Sequence, residues 1–397
     1  MEVYIAGKGI ISAIGLNVEE TLQSLKAGKS GIGTQTNLTG RRDSNLPTGE
    51  IALSNAELAS MAGLSADYSR TALLSMIAAK DALADADINI KGLKCGFISA
   101  TTVGGMDKTE KFMASFIRDG EVKDIGRILY HDSGAITELV AEALGIKHFV
   151  STISTACSSS ANAIMYASRL IKTGVLDMAI AGGTDAMSLF TLSGFNALMI
   201  LDENYCTPYD DNRKGLNLGE GAGYVVLVSE KVAGKLSKAP AVKLTGYANA
   251  NDAFHQTASS PEGKGNYLAM QGALKMSGLE ISAIDYINLH GTGTANNDLS
   301  EGMAIQRIFG ERVPKSSSTK AFTGHTLGAC GGIEAIFSMM AIEQKMIFPN
   351  LRLKTPMKEL GFVPVTELME GVEVKNVLSN SFGFGGNCSS LIFSKVN

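Results

Sequence analysis

Short apolar runs alternate with amphipathic stretches along this chain, and many of the runs stop at glycine. Residues 3–6 are apolar and β-prone and are followed by Gly7 and Gly9, which predicts a strand. Apolar residues recur at helical spacing over 18–27 and over 70–84; the second stretch is rich in Ala, Leu and Met and reads as a buried helix. Residues 95–100 form an apolar run that feeds a Thr-Thr-Val-Gly-Gly turn, and 149–154 form another that runs into Cys157. A helix over 161–172 is stopped by Gly174, a strand over 177–181 ends at Gly182 and Gly183, and 224–229 is a continuous β-branched strand.

The polar, proline-containing stretch 235–240 is the best internal junction, because the pattern restarts after it. A strand over 242–246 ends in glycine as the first one did. A helix over 266–277 follows, then a strand over 286–289 that runs into His290. A strand-like approach to Thr319, a turn at Gly324 and a helix over 331–344 repeat the layout from Ser151 through the helix after Cys157. A strand over 374–378, the turn Gly383-Phe384-Gly385-Gly386 and a strand over 390–394 close the chain. Alternating strands and helices predict a layered α/β fold. The restart predicts a duplicated one, with halves at 1–238 and 239–397.

Composition agrees with this picture. A chain of 397 residues, 45% of them hydrophobic, is long for one compact domain and ample for two fused repeats. The 44 glycines are dispersed, as expected of an enzyme with many tight turns. A net charge of −4 removes a chain-wide basic surface for nucleic acid. The five cysteines form no C-x-x-C pair, so neither a zinc site nor a redox motif is expected, and a reducing, cytoplasmic setting is the simplest reading. The first residues lack a basic region and a long apolar run, and no stretch of about 20 apolar residues occurs, so neither a signal peptide nor a membrane span is expected.

The candidate chemistry lies in three turns. Cys157 sits in Ser-Thr-Ala-Cys-Ser-Ser-Ser ahead of a helix, where the helix dipole and free N–H groups favour a thiolate. Taken alone, such a cysteine is more often a small buried side chain. His290 follows a strand in His-Gly-Thr-Gly-Thr, and His325 lies in Thr-Gly-His-Thr-Leu-Gly; either could be an ordinary turn histidine. All three fall near the C-terminal ends of predicted strands, where α/β folds hold ligands. Gly383-Phe384-Gly385-Gly386 is either a β-turn or a loop offering N–H groups to an oxyanion, and it is not the dinucleotide-binding pattern.

Together these motifs, with Lys320…Gly324-His325, Asn380-Ser381-Phe382, Tyr209-Asp210, Arg213 through Gly223, and Asn251-Asp252-Ala253, resemble the β-ketoacyl-acyl-carrier-protein synthases of type I/II over essentially the whole chain. The resemblance implies a thiolase-like five-layered α-β-α-β-α fold from two duplicated halves, with no cofactor and no metal. It implies that Cys157 carries an acyl group and that His290 and His325 donate N–H to a malonyl thioester. It also implies that the N–H groups of Cys157 and Phe384 hold an oxyanion. Lys320 and Glu334 match a charged pair near the second histidine; the alternative is a surface ion pair. Thr292 and Thr294 match residues that bond a phosphopantetheine arm. Phe384 matches a gate faced by the loop of Thr257, and Val103 matches a position lining the acyl pocket.

The implied activity is decarboxylative elongation by two carbons in fatty-acid synthesis, with acyl- and malonyl-loaded carrier protein as partner and a homodimer as assembly. A ketosynthase of a polyene or polyketide pathway, working in a heterodimer, is the alternative. Departures from the family pattern make that alternative a rival: a short segment between Cys95 and Ser151, Asn387-Cys388 where the family commonly has Thr-Asn, Gly215-Leu216-Asn217-Leu218 before Gly219-Glu220, and few carrier-docking cations. Carrier-docking cations are sparse, with Arg213 and Lys214 the best matches and Arg70 and Lys123 the next.

Overall fold

Ten of the strands in the computed structural model, which describes residues 1–34, 38 and 46–396, form two copies of one five-stranded arrangement. The first copy is β1 (Val3–Ser12), β2 (Cys95–Ala100), β3 (Phe149–Ile153), β4 (Met178–Asp185) and β5 (Gly221–Ser229). The second begins with β6 (Val242–Asn251), β7 (Tyr286–Asn288) and β8 (Lys315–Ser317). A separate ribbon of β9 (Met346–Ile347) and β10 (Met369–Glu370) intervenes before β11 (Asn376–Phe382) and β12 (Asn387–Lys395) complete it. Read from each outer edge inward, the orders are β3-β2-β4-β5-β1 and β8-β7-β11-β12-β6. Parallel and antiparallel pairings correspond strand for strand. Among the described residues the two sheets join where Tyr4 and Ile5 of β1 pair with Lys243 and Val242 of β6.

Helices fill the layers. In chain order they are α1 (Val18–Lys26), α2 (Asn55–Ala62), α3 (Arg70–Ala86), α4 (Met106–Asp119), α5 (Ser133–Ala143) and α6 (Ser159–Lys172). The second set is α7 (Leu189–Ala197), α8 (Glu230–Ala233), α9 (Lys264–Ser277), α10 (Ala295–Phe309), α11 (Lys320–Thr323) and α12 (Cys330–Gln344). Helix α3 covers one outer face on β1, β4 and β5, and α9 covers the other on β6 and β12, with α10 packed against α9. Between the sheets lie α6 and α12. Every residue of α12 from Cys330 to Ile342 is buried, as required of a helix with a sheet on either side. The central apolar cluster mixes both halves, with Ile164 and Val225 beside Phe337 and Phe393, so neither half closes its core alone.

Several glycines that read as strand ends are contact points. β1 continues through Gly7 and Gly9 to Ser12, because α3 lies flat on it: a Cβ would fall 2.3 Å from the Ala82 carbonyl at Gly7 and 2.1 Å from that of Ala78 at Gly9. Gly182 and Gly183 likewise lie inside β4. At Gly223 of β5 a Cβ would sit 2.6 Å from the Ile333 nitrogen and 2.7 Å from the Gly332 carbonyl carbon, so α12 rests on bare backbone there. Gly223→Ala is therefore expected to destabilise the protein by about 3 kcal/mol, the upper range for overpacking, read as a lowered urea midpoint with an unchanged slope. An unchanged midpoint would mean that α12 can move away freely.

Helices α2, α4, α5, α7 and α10 go unassigned by apolar periodicity. They are capped or surface helices with short apolar faces; Ser54, for example, opens α2 with a capping box to Glu57.

Candidate active site

After β3 the chain turns through Thr155, Ala156 and Cys157 before α6 begins at Ser159. Ala156 has φ 53°, a left-handed conformation that costs energy for a residue with a Cβ. The turn is held by Ser159, whose hydroxyl donates to the Ala156 carbonyl at 2.6 Å and accepts from the Thr155 N–H at 2.8 Å. Cys157 is thereby lifted to the floor of a cavity of about 270 Å³, lined also by Phe195, Ile200, Thr292, Phe382 and Phe384. The Cys330 thiol, at the start of α12, donates to the Cys157 carbonyl at 3.0 Å.

His290 stands two residues beyond β7. The buried Glu301 carboxylate in α10 accepts from the His290 N–H at 2.8 Å and the Gly291 N–H at 2.9 Å, and Asn380 holds the same carboxylate at 3.0 Å. His325 follows Gly324, whose φ of 73° turns the chain after α11. Its backbone makes a single β-bridge with the 217–219 segment: the His325 N–H donates to the Asn217 carbonyl at 2.7 Å, and its carbonyl accepts from the Gly219 N–H at 2.9 Å. The unusual Gly215–Leu218 stretch is thus the seat of the second histidine.

One reactive atom each from Cys157, His290 and His325 lies within 4.8 Å of the other two. The two imidazoles meet edge to face, with centroids 5.4 Å apart. Their protonation follows from their partners. Lys320 Nζ, which can only donate, sits 3.2 Å from His290 Nδ1. The Leu327 N–H donates to His325 Nδ1 at 3.0 Å. Both Nδ1 atoms therefore carry lone pairs, and in the neutral ring the proton sits on Nε2. Burial first, and the Lys320 charge second, push both histidines well below the usual imidazole range, so both are neutral at pH 7. The site holds two fixed neutral N–H donors beside a thiol. A metal-bound histidine does the reverse and donates its second N–H to an acceptor. This triad is arranged to donate and not to ligate.

Burial pushes the Cys157 thiol up to about 11, against the Lys320 charge and the N–H groups of Phe384 and Cys157, which favour the thiolate. The expected dipole-lowered thiol is thus reversed: Cys157 precedes the helix, and desolvation outweighs the dipole. Because the thiolate fraction rises with pH until the pKa is passed, alkylation of Cys157 by iodoacetamide is expected to accelerate about tenfold per unit from pH 7 to pH 9. A plateau near pH 7 would identify a resting thiolate and contradict this. The same two N–H groups that face the sulfur, those of Cys157 and Phe384, converge as an oxyanion site would require.

Residues 1–233 match the family described as beta-ketoacyl synthase, N-terminal domain, and residues 241–354 match beta-ketoacyl synthase, C-terminal domain. The chain belongs to the β-ketoacyl synthase family. It is 33% identical, over 100% of its length and 98% of the relative's, to "3-oxoacyl-[acyl-carrier-protein] synthase 2" of Staphylococcus aureus (strain MRSA252). Among solved structures it resembles "The ishigamide ketosynthase/chain length factor" with TM-score 0.92 and 28% identity, covering 100% of this chain and 99% of the other. It also resembles the ketosynthase ApeO in complex with its chain length factor ApeC from Xenorhabdus doucetiae, with TM-score 0.85, 30% identity, and coverage of 100% and 98%. The thiolase-like five-layered fold expected from the sequence is that of these synthases, and the chain is accordingly an acyltransferase-type enzyme.

Other residues singled out in this synthase fall into three groups. Thr257, Thr292 and Thr294 line the cavity with Phe384, and the Thr292 and Thr294 hydroxyls bond each other at 2.9 Å. Phe384 stacks on Phe195 of α7 at 5.9 Å, and its loop is tied to the facing loop by the Gly385 N–H, which donates to the Gln256 carbonyl at 2.7 Å. Lys320 and Glu334 form a buried ion pair at 2.5 Å, not a surface one; Lys320 touches the first histidine, and its charge acts on both. Burial lifts Glu334 to about 7 while Lys320 opposes it, and Glu334 in turn holds Lys320 above its usual range despite burial.

Val103 packs in an apolar cluster with Leu192, Leu216 and Leu327 that adjoins the cavity beside Cys157, and Leu216 belongs to both. Two expectations need correction. Arg70 is buried and grips Glu220 with Nε at 2.9 Å and Nη2 at 2.7 Å, so it is not available to a docking partner. The Arg213 guanidinium is engaged by the carbonyls of Asp210, Thr294 and Ala295, fixing the loop of the two threonines. Lys214 is exposed at the cavity. Sequence reading missed Glu301 and Asp185, because each looks like an ordinary polar residue of a helix or strand end. Asp185 accepts from the N–H groups of Gly328 at 2.7 Å and Thr102 at 2.9 Å, tying both to β4.

Proposed function

We propose that this synthase elongates acyl chains by decarboxylative Claisen condensation of malonyl-loaded carrier protein with an acyl group held on Cys157. The observation that carries this reading is the pair of neutral Nε2–H donors, His290 and His325, facing one thiol. In the first half-reaction the Cys157 sulfur attacks an acyl thioester. A Cys157–acyl bond forms, the acyl–carrier sulfur bond breaks, and the Cys157 proton ends on the departing carrier thiol. The N–H groups of Cys157 and Phe384 hold the oxyanion. In the second half-reaction the two histidines donate to the malonyl thioester carbonyl. The bond to the carboxylate breaks, carbon dioxide leaves, and the electron pair becomes an enolate stabilised by those donors. The enolate carbon bonds to the acyl carbon, and the C–S bond to Cys157 breaks, returning the sulfur as a thiolate that takes a proton from solvent to regenerate the thiol. Thr292, Thr294 and Thr257 bond the pantetheine arm, and Lys214 meets the acidic carrier. The units of this reading are the halves 1–238 and 239–397, supported by the repeated strand order.

Incubation with acyl- and malonyl-loaded carrier protein should yield a 3-ketoacyl chain two carbons longer and one carbon dioxide per turnover. Carbon dioxide release without a longer chain would leave only a decarboxylase. Localisation in the cytoplasm is part of the same proposal; among the described residues no helix is long and apolar enough to cross a membrane.

A second reading, a pathway synthase that works beside a partner subunit, is supported by the likeness to ketosynthases described with a chain length factor. Strand β3 is the open edge of the described sheet, and α4 with the segment after it exposes Phe116, Ile117, Val122, Ile125 and Leu129, with Ile117 77% and Leu129 76% exposed. An unpaired edge and an apolar surface suit a second subunit of this family. In the first reading that subunit is a second copy of this chain; in the second it is a different chain. Light scattering of the purified chain separates a homodimer from a monomer awaiting a different partner.

A further inference from the structure

The two N–H groups proposed to hold the oxyanion come from opposite halves of the chain, and nothing covalent sets their separation. We infer that Asn387 is the positioning residue that sets it. Asn387 opens β12, three residues after Phe384, and its carbonyl accepts from the Gly383 N–H at 2.9 Å, closing the Phe384 loop. Its side chain reaches across to the other half. Oδ1 accepts from the hydroxyl of Ser158, the residue next to Cys157, at 2.7 Å, and from Asn162 Nδ2 of α6 at 3.0 Å. A third donor, Asn249 Nδ2 of β6, lies at 2.6 Å.

The network is closed around this oxygen. Ser389 donates to Asn162 Oδ1 at 2.6 Å and accepts from Asn249 at 2.9 Å. Asn162 also holds the Thr155 hydroxyl at 2.9 Å, and the Ser158 proton is shared between Asn387 and the Thr155 carbonyl, both at 2.7 Å. One atom therefore gathers the strained Thr155–Ser158 turn, α6, β6 and the start of β12. A partly buried oxygen with three donors cannot move toward any one of them without stretching another, so the turn bearing Cys157 and the loop bearing Phe384 are held at a fixed spacing.

The inference rests on the proposed mechanism, and its test separates the two half-reactions. The oxyanion pair serves acyl transfer to Cys157, whereas His290 and His325 serve malonyl decarboxylation. Asn387→Ala is expected to slow acylation of Cys157, followed by mass spectrometry, by about 100-fold in kcat with KM little changed. Carbon dioxide release from malonyl thioester by the same variant should stay within about twofold of the parent. All three bonds end on one acceptor oxygen, so Asn387→Asp should recover most of the acylation. Equal losses in both half-reactions, or no recovery by Asp, would reduce Asn387 to a general structural role and overturn the inference. A parent enzyme that neither acylates nor decarboxylates would instead refute the proposed function.

Discussion

Cys157→Ala is expected to remove chain elongation, lowering turnover by on the order of 10⁴-fold or more, because the covalent route has no second nucleophile to take over. Cys330 is the nearest other thiol described here. It is buried, is committed to the Cys157 carbonyl, and is pushed by burial well above the usual thiol range. The substitution removes one sulfur from a cavity floor and leaves the histidines in place. Release of carbon dioxide from malonyl thioester should therefore persist while no 3-ketoacyl product forms and no acyl adduct appears on the protein. A longer chain made by the Ala variant would show that the acyl group rides elsewhere.

Lys320→Met is expected to damage both stability and the second half-reaction. Lys320 and Glu334 are both buried, so removing the cation leaves a carboxylate in a dry layer with no counter-charge. Breaking such a pair costs about 3–5 kcal/mol. The same change removes the donor that His290 Nδ1 has among the described residues, so the ring can place its proton on Nδ1 and lose the Nε2–H that faces the cavity. Malonyl decarboxylation should fall by about 10²–10³-fold, the usual effect of losing one preorganised donor. Acylation of Cys157 should fall much less. The double variant Lys320→Met with Glu334→Leu separates the two consequences: the apolar pair should regain most of the denaturant midpoint and none of the decarboxylation. Recovery of both would mean that Lys320 acts only through stability.

The corrections share one cause. Sequence patterns report chemistry near a residue along the chain, whereas charge and burial depend on what arrives from elsewhere. Arg70 and Arg213 look like surface cations until Glu220 and the 294–295 carbonyls are brought to them from 150 and about 80 residues away. Cys157 has the local sequence of an activated thiol, yet it is closed in by α12 and the 383–386 loop, and desolvation decides its ionisation. Glu301 had no local signal, because a glutamate on a helix is ordinarily solvated.

The sequence by itself determined the duplicated strand-helix order and the three turns carrying Cys157, His290 and His325, since apolar periodicity and glycine placement are local properties. Its ordered motifs also identified the family. Tertiary structure alone decided how those turns work. The tautomers of both histidines follow from Lys320 and the Leu327 N–H, the high thiol pKa follows from burial between two sheets, and the spacing across the halves follows from Asn387. Each of these is an interaction between segments far apart in the chain, and its strength is set by distance and local dielectric, quantities that exist only once the chain has folded.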